Sequence, residues 1–331
     1  MRFAWTPFTP SSTIPPIRFC ANSPIAFTRM RKQADASPTS SPRATSTLLT
    51  GQREGYYQDF GDLAQMAEAL RSGWVYAGQF SRFRQRRHGS SPAEVRGRQI
   101  VVYSQNHDQI GNRVNGERLI QLAGFSAAKL AAATVVLSPF VPMLFMGEEY
   151  GDPAPFLYFV SHSDPELIEA VCVGRREEFP DIITDADFPQ PQDEHTFLRS
   201  KLQRNLMSEE RHAQLCDFYK ELLRLRRTRP ELRFPSKTRA DVQLAEQADV
   251  IVLHRWRDGK QTIALLHFGR DRAAMRLRLP AGNWSKTLDS HEAHWGGPGT
   301  MVPDELPSAD GSIELLLGSF QALALTSNAG R

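Results

Sequence analysis

The sequence predicts an α/β protein: the C-terminal strands and helices of a (β/α)8 barrel, followed by a small antiparallel β-sandwich-like domain. Three observations predict it. Two short apolar runs, Ile100–Tyr103 and Met143–Met146, have the unbroken apolar character of strands buried on both faces. Each is followed at once by polar side chains, Gln105 to Asp108 after the first and Glu148 and Glu149 after the second. From about Phe234 the pattern changes to closely spaced strands. In parallel α/β barrels the active-site groups stand at the C-terminal strand ends, which matches the first two features. A complete barrel needs eight strands, typically in ~250 residues. Only these two strands are legible between Leu48 and Pro230, so part of a barrel is expected.

Residues 1–47 are crowded with Pro, Ser and Thr, with Arg2, Arg18, Arg29, Arg31, Lys32 and Arg43 against one acid, Asp35. No periodicity persists, and such a segment cannot bury enough apolar surface to offset its ordering entropy. Three readings stand: a disordered leader, an organelle transit peptide, or a segment that is not native coding sequence. From Leu48 to Arg71 a helix is expected, with Leu63, Met66, Ala67 and Leu70 at helical spacing and Gly73 as its stop. A second helix is expected from Ser126, a good N-cap, to Leu137 before Pro139. After a Pro- and aromatic-rich loop, Asp152–Phe159, the clearest helix begins with Ser208 as cap. Glu209 and Glu210 occupy its first turn, where the helix dipole favours acids. Its buried stripe is Leu215, Phe218, Tyr219, Leu222 and Leu225, and Arg226 and Arg227 close it before Pro230. Strands follow at Val250–Trp256, Gln261–Phe268, Ala274–Leu279, Ser312–Leu317 and Gln321–Leu325, with turns at Asp258-Gly259 and Pro280–Gly282. The expected division is a leader over 1–47, barrel over 48–233 and an all-β domain over 234–331.

Composition narrows the function. The chain has 331 residues, 40% hydrophobic and 23% charged, with a net charge of +3. That balance argues against a dedicated nucleic-acid binder. Cys20, Cys172 and Cys216 form no CxxC pair or metal spacing, which suits a reducing, cytoplasmic compartment. The longest apolar run, Ala131–Met146, is broken by Ser138, Pro139 and Pro142 and is shorter than the ~20 residues of a membrane-spanning helix. No membrane partner is expected.

The run Gln105-Asn106-His107-Asp108-Gln109-Ile110-Gly111-Asn112-Arg113 puts an imidazole and a carboxylate after a strand end. Asp, His, Asn and Gln together supply the acceptors and neutral donors that a hydroxylated substrate needs. The same spacing also describes a plain strand-to-loop turn, with Asp108 as an Asx-type turn former. Both readings stand on spacing alone.

The Asn106-His107-Asp108 triplet resembles the fourth sequence region of α-amylase-type glycoside hydrolases. Its extension from Ser104 to Arg118 resembles one subgroup, the maltooligosyltrehalose trehalohydrolases. Leu48–Tyr57, Gln85-Arg86-Arg87-His88-Gly89 and His162–Leu167 resemble the same subgroup, as does Gly174–Phe179. The most distinctive segment is Leu144-Phe145-Met146-Gly147-Glu148-Glu149-Tyr150-Gly151-Asp152-Pro153-Ala154-Pro155-Phe156.

The resemblance implies hydrolysis of the α-1,4 bond next to the terminal trehalose of a maltooligosyl trehalose, with no metal or organic cofactor. Asp108 matches the third catalytic carboxylate, a transition-state stabiliser, and His107 matches a donor to the same sugar. Asn106, Gln109, Arg113, Glu149 and Phe156 are carried over as substrate-binding candidates, with structural burial the competing role for Glu148 and Glu149 and loop packing for Phe156. In that family the nucleophile and general acid lie on earlier strands. Here residues 1–47 contain no Glu, and Asp35 follows no strand. The expectation is therefore a C-terminal part, inactive by itself. The alternatives are a non-catalytic carbohydrate-binding remnant, or a subunit completed by a separately encoded N-terminal barrel piece.

Other patterns carry less. His291-Glu292-Ala293-His294 has its histidines three apart, where a zinc helix needs four. The Arg82–His88 run reads as a solvated basic face, with sugar or anion binding as the alternative. His162 and Asp164 lack a nucleophile to complete a triad.

Overall fold

The computed structural model describes residues 40–53, 55–179, 188–308 and 311–328. The expected leader lies outside these residues up to position 39. Its last part, from position 40, belongs to a helix, α1 (Ser40–Thr50). Ala44, Thr45, Thr47 and Leu49 are buried, so the boundary expected at Leu48 falls inside this helix. Gly51, at φ +78°, ends it by donating its N–H to Thr47 O at 2.8 Å. The single helix expected over Leu48–Arg71 is therefore two. The second, α2 (Leu63–Ser72), is opened by a capping box between Asp62 and Gln65 and closed, as expected, at Gly73.

The Arg82–His88 run lies in a hairpin formed by β1 (Ala77–Ser81) and β2 (Arg86–Gly89). Asp59 clasps its turn, accepting from Tyr76 Oη at 2.7 Å, Ser81 Oγ at 2.5 Å and the Arg82 N–H at 2.7 Å.

Next comes the unit that positions the site. β3 (Val101–Val102) runs into a short helix, α3 (His107–Gly111), then α4 (Leu119–Ala123) and α5 (Phe125–Leu137), and the chain returns in β4 (Val141–Pro142). The two strands pair in parallel, Val101 with Val141 and Val102 with Pro142, as a helical crossover requires. The ladder extends to Met143, whose N–H donates to Val102 O at 2.8 Å. β3 is shorter than the run Ile100–Tyr103, β4 precedes the run Met143–Met146, of which Met143 alone joins the ladder, and burial on both faces does not hold. Val101 is 39% exposed and Met146 47%. The reason is the width of the sheet: among the described residues it has two strands, so part of each apolar run faces no neighbour. The expected cap Ser126 is also displaced. Gly124, at φ +85°, precedes α5, and Ser126 lies in the first turn.

Beyond the Pro-rich loop come α6 (Pro165–Glu177), α7 (Glu194–Arg199), α8 (Glu210–Thr228) and α9 (Pro230–Arg233). Ser208 ends a 3-10 turn, Arg204–Ser208, so Glu209 takes the N-cap position of α8 and makes no side-chain cap. The stripe Leu215, Phe218, Tyr219, Leu222 and Leu225 is buried as expected.

The C-terminal region is a six-stranded antiparallel sheet in the order β10-β9-β12-β7-β6-β5, plus a β8–β11 ribbon. Its strands are β5 (Ala240–Ala245), β6 (Val250–Arg257), β7 (Lys260–His267), β8 (Ala273–Arg278), β9 (Gly282–Asp289), β10 (Glu305–Ser308), β11 (Ser312–Leu317) and β12 (Ala322–Asn328). The large sheet is buried on both faces, and its side chains alternate with the two-residue strand period. Ile251, Leu253, Ala264, Leu266, Ala322 and Ala324 join the cluster that contains Leu130, Phe218 and Leu222 of the helices. Val250, Val252, Ile263, Leu265, Leu323 and Leu325 join the other cluster, with Leu277, Leu315 and Leu317 of the ribbon. Among the described residues no helix is long and apolar enough to cross a membrane.

Candidate functional site

The segment after β3 does not continue as a loop. Asn106 accepts from the Gln109 N–H at 2.8 Å and caps α3, so Asn106 rather than Asp108 makes the local turn contact. Asp108 is thereby free to project from the first turn of the helix. Its carboxylate is 63% exposed and lies 3.2 Å from His107 Nε2, itself 70% exposed. An imidazole and a carboxylate thus stand together and open to solvent.

The other candidates are arranged around them unequally. Arg113 is turned to its own surroundings, donating to Glu117 at 3.1 Å and Gln52 at 2.6 Å. Gln109 is enclosed, and neither side-chain amide atom is hydrogen-bonded among the described residues. Phe156 is half-buried and stands beside the end of α3: a Cβ added at Gly111 would lie 3.7 Å from its ring. The ring meets Phe145 edge-on at 5.3 Å and Phe159 at 6.0 Å, and Phe159 meets Phe197 at 5.3 Å. It belongs to an aromatic chain as well as to the site margin. Glu149 is half-buried.

Beneath the site lies a network that sequence reasoning left unresolved. Glu148 is buried, with Oε2 accepting from Gln105 Nε2 at 3.2 Å and Ser104 Oγ at 3.4 Å. Gln105 is fixed at its other end, where Oε1 accepts the Leu119 N–H at 2.7 Å. Burial pushes the Glu148 carboxyl up to about 8, against the hydrogen bonds at the Phe145 backbone, Gln105 and Ser104, and the Glu149 charge pushes the same way as burial. Tyr219, fully enclosed and hydrogen-bonded to Glu148, is raised well above a normal phenol by burial and then by the two glutamates.

Arg118 is buried and donates to Ala154 O at 2.6 Å and Met146 O at 2.8 Å, tying the distinctive Leu144–Phe156 segment to the start of α4. Burial lowers it, while Asp152, Tyr150 and the two glutamates oppose that shift. Asp152 accepts from Tyr150 Oη at 2.6 Å and from the N–H groups of Ala154 and Gln203 at 2.7 and 2.8 Å.

The far end of α3 is held by Arg175. Its guanidinium donates to Gly111 O at 2.6 Å and Arg113 O at 3.3 Å and pairs with Glu178 at 2.6 Å. It lies over the Tyr158 and Phe179 rings at 5.0 and 4.7 Å. The available signal for Arg175 was its position in the Gly174–Phe179 motif.

Two competing patterns resolve structurally. His291 is buried in a β-domain loop, its Nε2 at 2.9 Å from Ser319 O. Among the described residues no three His, Cys, Asp or Glu side chains form a group that could hold a metal ion. His162 and Asp164 take local roles, the His162 N–H donating to Gln192 and Asp164 capping α6.

Comparison with known proteins agrees with the motifs. No family model matches the chain. The malto-oligosyltrehalose trehalohydrolase of Saccharolobus solfataricus is 43% identical over 184 residues, covering 56% of this chain and 31% of that protein. The malto-oligosyltrehalose trehalohydrolase of Deinococcus radiodurans is 36% identical over 242 residues, 71% of this chain and 40% of that protein. The crystal structure of a putative alpha amylase from Salmonella typhimurium superposes with a TM-score of 0.68 at 30% identity, covering 87% of this chain and 46% of that one. The chain spans between 31% and 40% of the length of the curated relatives that it matches. In the part that aligns, the chain is similar to malto-oligosyltrehalose trehalohydrolases and to an alpha-amylase structure.

Proposed function

We propose that this chain forms one wall of a glycoside hydrolase of trehalose formation, which cleaves the α-1,4 bond next to the terminal trehalose of a maltooligosyl trehalose. The observation that carries the reading is the exposed Asp108–His107 pair, set at the end of a parallel strand on a helix that Asn106 caps. Glycoside hydrolysis needs a nucleophile or base and a general acid on opposite sides of the scissile bond, and its transition state is oxocarbenium-like. Asp108 is the supporting carboxylate of that reaction. It accepts from ring hydroxyls and favours the distorted sugar, while His107 donates to the same ring. Asn106, Gln109, Arg113, Glu149 and Phe156 form the margin of the sugar site, with Gln109 engaging after local opening.

In this reading β3 and β4 are C-terminal strands of a (β/α)8 barrel, and the nucleophile and acid belong to other strands of that barrel. The two-strand width of the sheet and the exposed Val101 and Met146 support such an open barrel face. The free cysteines Cys172 and Cys216 fit a reducing, cytoplasmic setting.

The test is trehalose release from maltooligosyl trehalose, by the chain alone and after mixing with the N-terminal barrel portion of a relative. The expected result is no release alone, and release on mixing that falls by at least about a hundredfold in Asp108→Asn. That size matches the loss of one electrostatic stabiliser in other active sites. Robust release by the chain alone would overturn the need for a second segment. Sugar binding without release in any mixture would favour a carbohydrate-binding remnant.

A further inference from the structure

We propose that Glu148 is a positioning residue for the Asp108 wall: through Ser104 and Gln105, its carboxyl sets the chain end from which His107 and Asp108 project. The inference rests on the functional reading above only for what the wall binds.

The geometry leaves Gln105 no freedom. Its oxygen is committed to the Leu119 N–H, so its nitrogen faces the Glu148 carboxyl. Ser104, one residue earlier, donates to the same oxygen. Both residues are buried, as is Asn106, the cap of α3. Movement at Glu148 is therefore relayed along three consecutive enclosed residues to the pair that faces solvent. Glu148 is itself buried, so its action on the solvent-facing pair is indirect.

The space around it decides how it behaves. The enclosure lined by Ser104, Gln105, Arg118, Leu119, Glu148, Asp152 and Tyr219 holds about 10 Å³. That is at the lower limit for one water, far short of what a carboxylate needs for hydration. The charged and titratable groups around Glu148 are Glu149 and Tyr219, with Arg118 and Asp152 sharing the enclosure and Tyr150 bonded to Asp152. Ionising Glu148 adds a second negative charge beside Glu149 where water cannot follow. The ionised carboxylate is held by the bonds that Gln105 and Ser104 donate, so it draws both donors toward itself and shifts the chain end that they carry.

Because the folded-state value is raised to about 8 from 4.5, the folded chain holds a proton that the unfolded chain has lost between those values. The stabilisation is fully present below about 4.5 and is lost as pH rises through about 8.

The test follows the backbone and side-chain amide resonances of Gln105 to Asp108 in the whole chain between pH 6.5 and 9.5, with and without maltooligosyl trehalose. In the wild type they are expected to move together with a midpoint near 8. Glu148→Gln, which keeps an acceptor for Gln105, is expected to hold the low-pH positions throughout. Sugar affinity in the wild type should weaken about tenfold from pH 7 to pH 9, as the competent fraction falls, and should stay flat in Glu148→Gln. Resonances that stay fixed in the wild type, or that keep the same midpoint in Glu148→Gln, would overturn the proposal. A Glu148-dependent movement with no sugar binding at any pH would leave the positioning role standing and remove the functional reading. Sugar binding with no Glu148 dependence would do the reverse.

Discussion

Asp108 and Glu148 show how differently two carboxylates after strand ends behave. Asp108 was legible because a polar run follows an apolar one, and the structure leaves it exposed. Its neighbour in role, Asn106, was missed as a cap because Asp108 is an equally good turn former by sequence. For Glu148 the sequence left substrate binding and burial both open, and the structure buries it against Tyr219, a residue far along the chain. Lys129 is a similar case. It is fully buried, donates to Ser290 O and to Trp295 O at 3.0 Å, and burial lowers it to about 8, with Asp289 opposing and Arg211 reinforcing. Between about 8 and 10.5 the unfolded chain binds the proton that the folded chain has released, so this residue makes stability rise with pH across that window. Urea melts of the wild type and Lys129→Met are expected to diverge in that direction, the variant losing ground as pH rises from 7.5 to 10.5. A pH-independent difference would show that Lys129 does not titrate there.

At the scale of elements, α3 is too short to hold its own geometry and is fixed from both ends. Asn106 caps the start, and Arg175 of α6 takes the carbonyls at and just beyond its end. Arg175→Met removes charged hydrogen bonds, each worth ~1.5–3 kcal/mol, and leaves carbonyls unpaired. The expected outcome is a stability loss of about 2–4 kcal/mol in urea unfolding and weaker sugar binding, with Arg175→Lys recovering part of both. An unchanged midpoint would refute the clamp.

Gly147 makes a second element-level demand. It holds φ +86°, and a Cβ there would stand 2.9 Å from Asp152 Cβ. Gly147→Ala should therefore cost about 1–3 kcal/mol, read by thermal melting. The expected caps Ser126 and Ser208 failed for related reasons. Local cap preference yields where Gly124 supplies a positive φ, and where a 3-10 turn uses the serine first. The strands β5, β9 and β10 escaped notice: β5 and β10 are sheet edges, and β9, though central, carries Asn283, Ser285, Lys286 and Thr287. Edge strands tolerate polar residues and proline, such as Glu305 and Pro307, and so lack an apolar signature. Central strands β6, β7 and β12 were read correctly because burial on both faces leaves them nearly all apolar.

Across the whole molecule, one hydrophobic cluster runs from α1 through α5 and α8 into the inner face of the large sheet. Buried arginines reinforce that junction. Arg226 of α8 and Arg255 of β6 both donate to Ser138 O, at 3.0 and 2.8 Å, and burial lowers them to about 10 and about 9. Calorimetry of the chain is expected to show one transition for helices and sheet together, and Leu222→Ala should lower hydrogen-exchange protection in both by a similar factor, from a loss of about 2–5 kcal/mol. Two separable transitions would contradict the shared core. The exposed Val101 and Met146 predict self-association, as unpaired strand edges and apolar faces invite it. The double substitution Val101→Thr with Met146→Gln should shift size-exclusion profiles toward monomer.

The burial of the large sheet on both faces has a practical consequence for dissection and grafting. A cut at position 233, where the sequence changes character, would strip Leu130, Phe218 and Leu222 of the wall they rest on and expose Ile251, Leu253 and Leu266. Neither product would be a self-sufficient module. The sheet acts as the floor on which the helices behind β3 are laid, so a swap that carries Asp108 to a new host must carry β5 to β12 with it.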